Sequence, residues 1–190
     1  MTIKEKKQQL LCSQLISKCC HDMATPLTGA LLAFDSIDLP PCEKEISDIT
    51  KKNLQKLTIL LNLWRKIFGF SKSLTIDFST LNDLKNLAST NGVVVTLSLT
   101  YESMEKKQPL LKALSILLYI LVGHSCPGES IEIKKEKNEI ILLAKSIAFI
   151  ESKEKASSPL SLFFYQFLED SNINFSTDST TFCSLFTSNI

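Results

Sequence analysis

Apolar residues recur every three to four positions over two long stretches at the start of the chain, and shorter, mixed patterns follow. The first stretch, from about Lys4 to Ile37, and the second, from about Glu43 to Phe68, predict two long helices. Between them Asp38-Leu39-Pro40-Pro41 ends one helix and lets the next begin, because proline cannot continue a helix but is tolerated in its first turn. So short a connection predicts an antiparallel hairpin.

On a wheel of about 100° per residue, the first helix sets Cys12, Leu15, Cys19, Met23, Ala30, Phe34 and Ile37 on one stripe to be buried. The second carries Ile46, Ile49, Leu54, Leu57, Leu60, Leu61, Trp64, Ile67 and Phe68 on a face roughly 140° wide. One partner helix cannot cover that width. Either the rest of the chain covers the excess, or two hairpins pair about a two-fold axis into a four-helix bundle. Pairing as a homodimer is the expectation.

After Gly69 the pattern predicts a short strand at Leu74 to Phe78 and a helix at Thr80 to Ser89 capped by Ser79. A β-branched strand follows at Gly92 to Leu99, then a buried helix at Lys107 to Val122. Ile131 to Lys135 and Ile140 to Ala144 read as a hairpin, Leu160 to Leu168 as a helix and Thr181 to Phe186 as a last strand. Such alternation predicts a small α/β sandwich with helices on one face of a sheet. The expected fold class is α+β, with residues 1–70 as a helical hairpin domain and 71–190 as an α/β domain.

Composition narrows the function classes. With 190 residues and a net charge of +1, no global field steers the chain toward nucleic acid or an anionic membrane. Met1 to Gln9 is polar and Lys-rich, unlike a secretory signal. The most apolar run, Leu110 to Val122, carries Lys112 and falls below the roughly 20 residues that cross a bilayer. A cytoplasmic protein is expected. None of the six cysteines forms a C-x-x-C pair, which suits reduced, packed thiols. His124 and Cys126 supply two of the four ligands that structural zinc needs, and no second pair accompanies them.

The segment that carries chemistry is Cys20-His21-Asp22-Met23-Ala24-Thr25-Pro26-Leu27. His21 points roughly 170–180° away from the apolar stripe, so its imidazole is expected to face water. A neutral ring nitrogen is nucleophilic near pH 7 and can take up a phosphoryl group. Asp22 can orient the ring or accept its proton. Thr25 lies one turn further along the same face, where its hydroxyl can bond a phosphoryl oxygen or an attacking water. Pro26 removes one backbone donor and bends the helix just beyond the histidine. Thr28, Gly29 and Leu32 continue that strip: small residues let a partner helix approach, and Leu32 offers an apolar anchor. Average residue usage gives H-[DE]-x-x-[ST]-P-L by chance in on the order of one chain in several thousand of this length.

This stretch resembles the H-box of two-component histidine kinases, in their dimerisation and phosphotransfer hairpin. More widely the chain resembles alphaproteobacterial histidine phosphotransferases of the ChpT type, across Leu15 to Ala33, Lys56-Leu57 to Phe68-Gly69, and faintly Leu110 to Lys134. The resemblance implies a homodimer that relays phosphate between a hybrid kinase receiver domain and response regulators. The candidate catalytic residues are His21, Asp22 and Thr25, and the helix face makes Thr28, Gly29 and Leu32 the candidate partner-binding ones.

An autokinase of this class needs an asparagine-rich helix for magnesium and glycine-rich loops around the nucleotide phosphates. Leu110 to Val122 contains no Asn, the five glycines are scattered, and no G-x-G occurs. The second domain is therefore expected to be a degenerate ATPase-like domain binding no cofactor. Magnesium is expected in the partner receiver's acidic pocket. The competing readings are a non-catalytic adaptor that binds a regulator without carrying phosphate, and a kinase or phosphatase in which Thr25 aligns water.

Overall fold

The computed structural model describes residues 3–36, 43–69, 76–99, 108–136, 139–145, 156, 158–179 and 182–187. The chain forms two compact units, Met1–Phe68 and Gly69–Ile190.

The first unit is a helical hairpin of α1 (Ile3–Asp35) and α2 (Glu43–Phe68), which pack against each other. Leu15, Pro26 and Ala30 are buried on α1; Leu60, Leu63, Trp64 and Ile67 are buried on α2. Proline 26 is accommodated inside the helix. It has no N–H to give the carbonyl of Asp22 one turn earlier, and its ring lies on the buried face. Gly29 sets how closely the helices approach. A Cβ there would lie 3.0 Å from Asn53 Nδ2, which itself donates to the carbonyl of Ile49 at 3.1 Å.

The buried stripe is narrower than the sequence pattern suggests. Phe34 is 62% exposed, and Cys12, Cys19 and Met23 are only half-buried; Ile37 lies outside the described residues. A single neighbouring helix covers a narrow arc, and Phe34 sits beyond it. Ile16, Leu27, Leu31 and Phe34, all exposed, fall within about 60° of one another on the wheel, roughly 90° round from the buried stripe. On α2, exposed Leu54 and Leu61 share a similar arc with half-buried Leu57 and Phe68. Each helix thus has a second apolar stripe that its partner in the hairpin does not cover.

Among the described residues, the second unit is a five-stranded mixed sheet in the order β1-β2-β3-β5-β4 with three helices. In chain order these are α3 (Phe78–Thr90), β1 (Val94–Ser98), α4 (Gln108–His124), β2 (Ser130–Glu136), β3 (Glu139–Ala144), α5 (Pro159–Asp170), β4 (Ile173–Ser179) and β5 (Phe182–Thr187). β1 and β2 run parallel, with α4 as the crossover that parallel pairing requires; the other pairs are antiparallel. Residues alternate across the sheet. Ile131 and Ile133 are buried between exposed Ser130 and Glu132, and Ile140, Leu142, Ala144, Cys183 and Leu185 continue the core. From Leu110 to Val122 only Lys112 escapes burial, its stem lying so that Nζ sits 5.4 Å from the Phe167 ring centroid. Phe164 of α5 meets Phe175 of β4 edge-on at 5.3 Å. The chain is therefore α+β, a helical hairpin followed by a small α/β sandwich.

Three local expectations need correction. α3 begins at Phe78 and is capped by Asp77, not Ser79: Asp77 Oδ1 accepts from the backbone N–H of Thr80 at 3.2 Å, and Ser79 Oγ donates to the same oxygen. The strand expected at Leu74 to Phe78 is absent from its described part, because Ile76 and Asp77 lead into that cap; Leu74 and Thr75 lie outside the described residues. Strand β4 was not anticipated. It is a polar edge strand entered through a left-handed Asn172 (φ 52°), and its register against β5 shifts between Ser176 and Ser179.

Burial pushes the Cys183 thiol up to about 12. In the native protein a thiol-alkylating reagent at pH 7.5 is expected to label exposed Cys20 and Cys126 while sparing Cys183 until the chain is unfolded. Peptide mapping before and after denaturation checks this.

Candidate functional site

His21 lies near the middle of α1 with its side chain 80% exposed, whereas neighbouring Asp22 is 15% exposed. The difference follows from helical geometry, since one residue turns the side chain by about 100° from open water toward the α2 side. Asp22 Oδ1 lies 3.5 Å from His21 Nδ1, longer than an ordinary hydrogen bond but within reach of a small rotation. The same oxygen accepts from Lys18 Nζ, one turn earlier. A carboxylate beside Nδ1 favours the tautomer with the proton there, which leaves the Nε2 lone pair directed away from Asp22.

A second cation faces this carboxylate from the other helix. Burial, then the like charge of Lys52, lowers the Lys56 ammonium from its ordinary range, and the charge of Asp22 opposes them. The Cys19 thiol is held above its usual range by burial, then by Cys20 and Asp22. It stays protonated at neutral pH.

Thr25, Thr28 and Leu32 are exposed and share an arc of about 60° with His21. Asp22 and Gly29 sit on the flank nearer α2, and Gly29 packs against Asn53. The hairpin thus brings His21, Thr25, Thr28 and Leu32 into one open strip with Asp22 at its edge. Lys18 and Lys56 escape the sequence reading. Lys18 is four residues before Asp22, a spacing at which helix side chains meet. Lys56 needed the register of the hairpin.

In the second unit, α4 is almost wholly buried from Leu110 to Val122. Between Leu110 and Val122 it bears no carboxylate or amide side chain, and its buried Ser115 donates to the carbonyl of Leu111 at 2.8 Å. Among the described residues no three His, Cys, Asp or Glu side chains are grouped to hold a metal ion. No helix among them is long and apolar enough to cross a membrane.

No protein-family model matches the chain, and no curated protein matches its sequence. Among solved structures it is similar to a bacterial phosphotransferase, with a TM-score of 0.67 and 12% identity, covering 97% of this chain and 96% of that one. Looser matches include the histidine kinase AdeS of Acinetobacter baumannii (TM-score 0.43, 12% identity, 89% of this chain and 98% of that one). The cytoplasmic segment of histidine kinase QseC gives 0.40 and 13% over 80% of this chain and 99% of that one. The first match extends over both units, so the chain shares the fold of that bacterial phosphotransferase from end to end.

Proposed function

We propose that this chain is a histidine phosphotransferase of a two-component phosphorelay, a cytoplasmic protein moving phosphoryl groups between receiver-domain aspartates through His21. The observation that carries the reading is the His21 imidazole, 80% exposed on a long helix with a carboxylate 3.5 Å from Nδ1. The end-to-end likeness to a bacterial phosphotransferase supports it, as does resemblance to the ChpT type.

In the loading step the Nε2 lone pair attacks phosphorus of the aspartyl phosphate. The Nε2–P bond forms, the O–P bond breaks, and the receiver carboxylate leaves with the bonding pair. The Nδ1 proton stays on the ring, facing Asp22. Return transfer to a second receiver reverses these changes. Positioning and charge neutralisation do most of the work in phosphoryl transfer. Thr25, one turn along, is assigned to a phosphoryl oxygen. The receiver brings the magnesium in its own acidic pocket.

The uncovered stripes of Ile16, Leu27, Leu31 and Phe34 on α1, and Leu54 and Leu61 on α2, fit a homodimeric four-helix bundle. In that arrangement they meet their symmetry mates, while His21 lies on a different face of α1. A receiver docks along Thr25, Thr28 and Leu32. Leu32 is 62% exposed, so Leu32→Asp is expected to slow transfer about tenfold while the melting temperature stays within a few degrees. Stopped transfer reactions and a circular-dichroism melt check it.

The function is tested by mixing the purified protein with a receiver domain phosphorylated from radiolabelled acetyl phosphate, and separately with labelled ATP. The reading expects label from the receiver and none from ATP. Label from ATP points to a kinase. Loss of receiver phosphate to water points to a phosphatase, and tight binding without label to an adaptor.

A further inference from the structure

Asp22 carries the residue types of an orienting carboxylate, yet nothing in the H-box explains what holds it. A free aspartate on a helix flank swings among rotamers into water. Here one oxygen, Oδ1, accepts from Lys18 Nζ and also lies 3.5 Å from His21 Nδ1. An ion pair at a partly exposed site adds little to helix stability, and lysine placed before the acid is the weaker order. Stability therefore does not account for its placement. The geometry fits a device that fixes where the carboxylate sits.

We propose that Lys18 is a positioning residue for phosphoryl transfer, anchoring the Asp22 carboxylate beside Nδ1 of His21 so that Nε2 is the attacking nitrogen. The inference rests on the reading of His21 as the phosphoryl acceptor. Groups that interact with the carboxylate include His21, Lys18 and Cys19 on α1, and Lys56 on α2. Lys18 binds the same carboxylate oxygen that lies beside the ring. Lys56 acts on the same carboxylate from the other helix. Removing Lys18 takes the anchor from that oxygen, so the carboxylate spends less time beside Nδ1 and that nitrogen competes for phosphorus.

Phosphoramidate separates this from receiver docking, because so small a donor needs no docking surface. Its P–N bond breaks, ammonia leaves with its own protons, and a ring N–P bond forms. The full chain, Lys18→Met and Lys18→Arg are each treated with phosphoramidate and with a phosphorylated receiver. Phosphorus NMR reports which ring nitrogen is substituted. The wild type is expected to carry phosphate on Nε2. Lys18→Met is expected to react roughly tenfold more slowly with both donors and to yield some Nδ1 product. Lys18→Arg restores rate and isomer, and all three proteins melt alike. Wild-type rate with pure Nε2 product in Lys18→Met overturns the proposal, as does a Lys18→Arg protein as slow as Lys18→Met. Should the receiver label no protein while phosphoramidate labelling still depends on Lys18, the relay reading fails and the positioning role stands. No reaction of wild-type His21 with either donor overturns both.

Discussion

His21→Gln abolishes phosphoryl uptake from a phosphorylated receiver, reducing label on the chain to background, while the folded protein survives unchanged. The chemical half of this expectation is all or none. The amide of glutamine has no lone pair able to form the N–P bond, so the loss is of the acceptor itself and not of a rate factor. The structural half follows from exposure. A ring 80% open to water contributes little burial, and a surface substitution of this kind changes stability by about 0.5 kcal/mol or less. Glutamine is also a good helix former, so α1 keeps its length. Paired measurements decide it: label after acid and base treatment, and a thermal melt. Full loss of label with an unchanged melt is the expected pair. A collapsed melt would instead make His21 a structural residue.

The second large effect is on assembly. Leu31→Glu combined with Leu61→Glu is expected to convert the proposed dimer to a folded monomer. Leu31 is 55% exposed and Leu61 46% exposed, so neither glutamate meets a packed interior within one chain. In a two-fold bundle each substitution occurs twice. Four carboxylates would then need partners in an apolar seam, at several kcal/mol for each one left unpaired. Every 1.4 kcal/mol weakens association about tenfold, so the dissociation constant should rise by at least about three orders of magnitude. Light scattering across a concentration series reads the mass directly. A wild type that is monomeric at every concentration would remove the dimer from the account.

The helical hairpin was legible because both stretches are long, the second is strongly amphipathic, and Pro40-Pro41 marks the break between them. The directions of His21, Asp22 and Thr25 were legible for a related reason, since a fixed pitch of 3.6 residues turns spacing into direction. Exposure of Phe34 was not, because a wheel gives the angle of an apolar residue but not the width of arc a neighbour covers. Asp77 was overlooked as a cap since Ser79 is an equally good capping type, and only backbone geometry chooses between them. Edge strand β4 has too few apolar residues to announce itself: Ile173 and Phe175 alternate, and polar residues follow. Lys56 illustrates a different limit. It lies 34 residues after Asp22 in the chain and meets it only through the hairpin's register.

The most direct test is to locate the phosphoryl group. The intact protein is loaded by a phosphorylated receiver, quenched at high pH where phosphohistidine survives, and digested for mass mapping. The account predicts one acid-labile phosphate per chain, on His21, that a fresh receiver can remove. Phosphate on any other residue, or a receiver that loses its phosphate to water without the chain ever carrying it, would contradict the claim that this helix carries the relay's histidine.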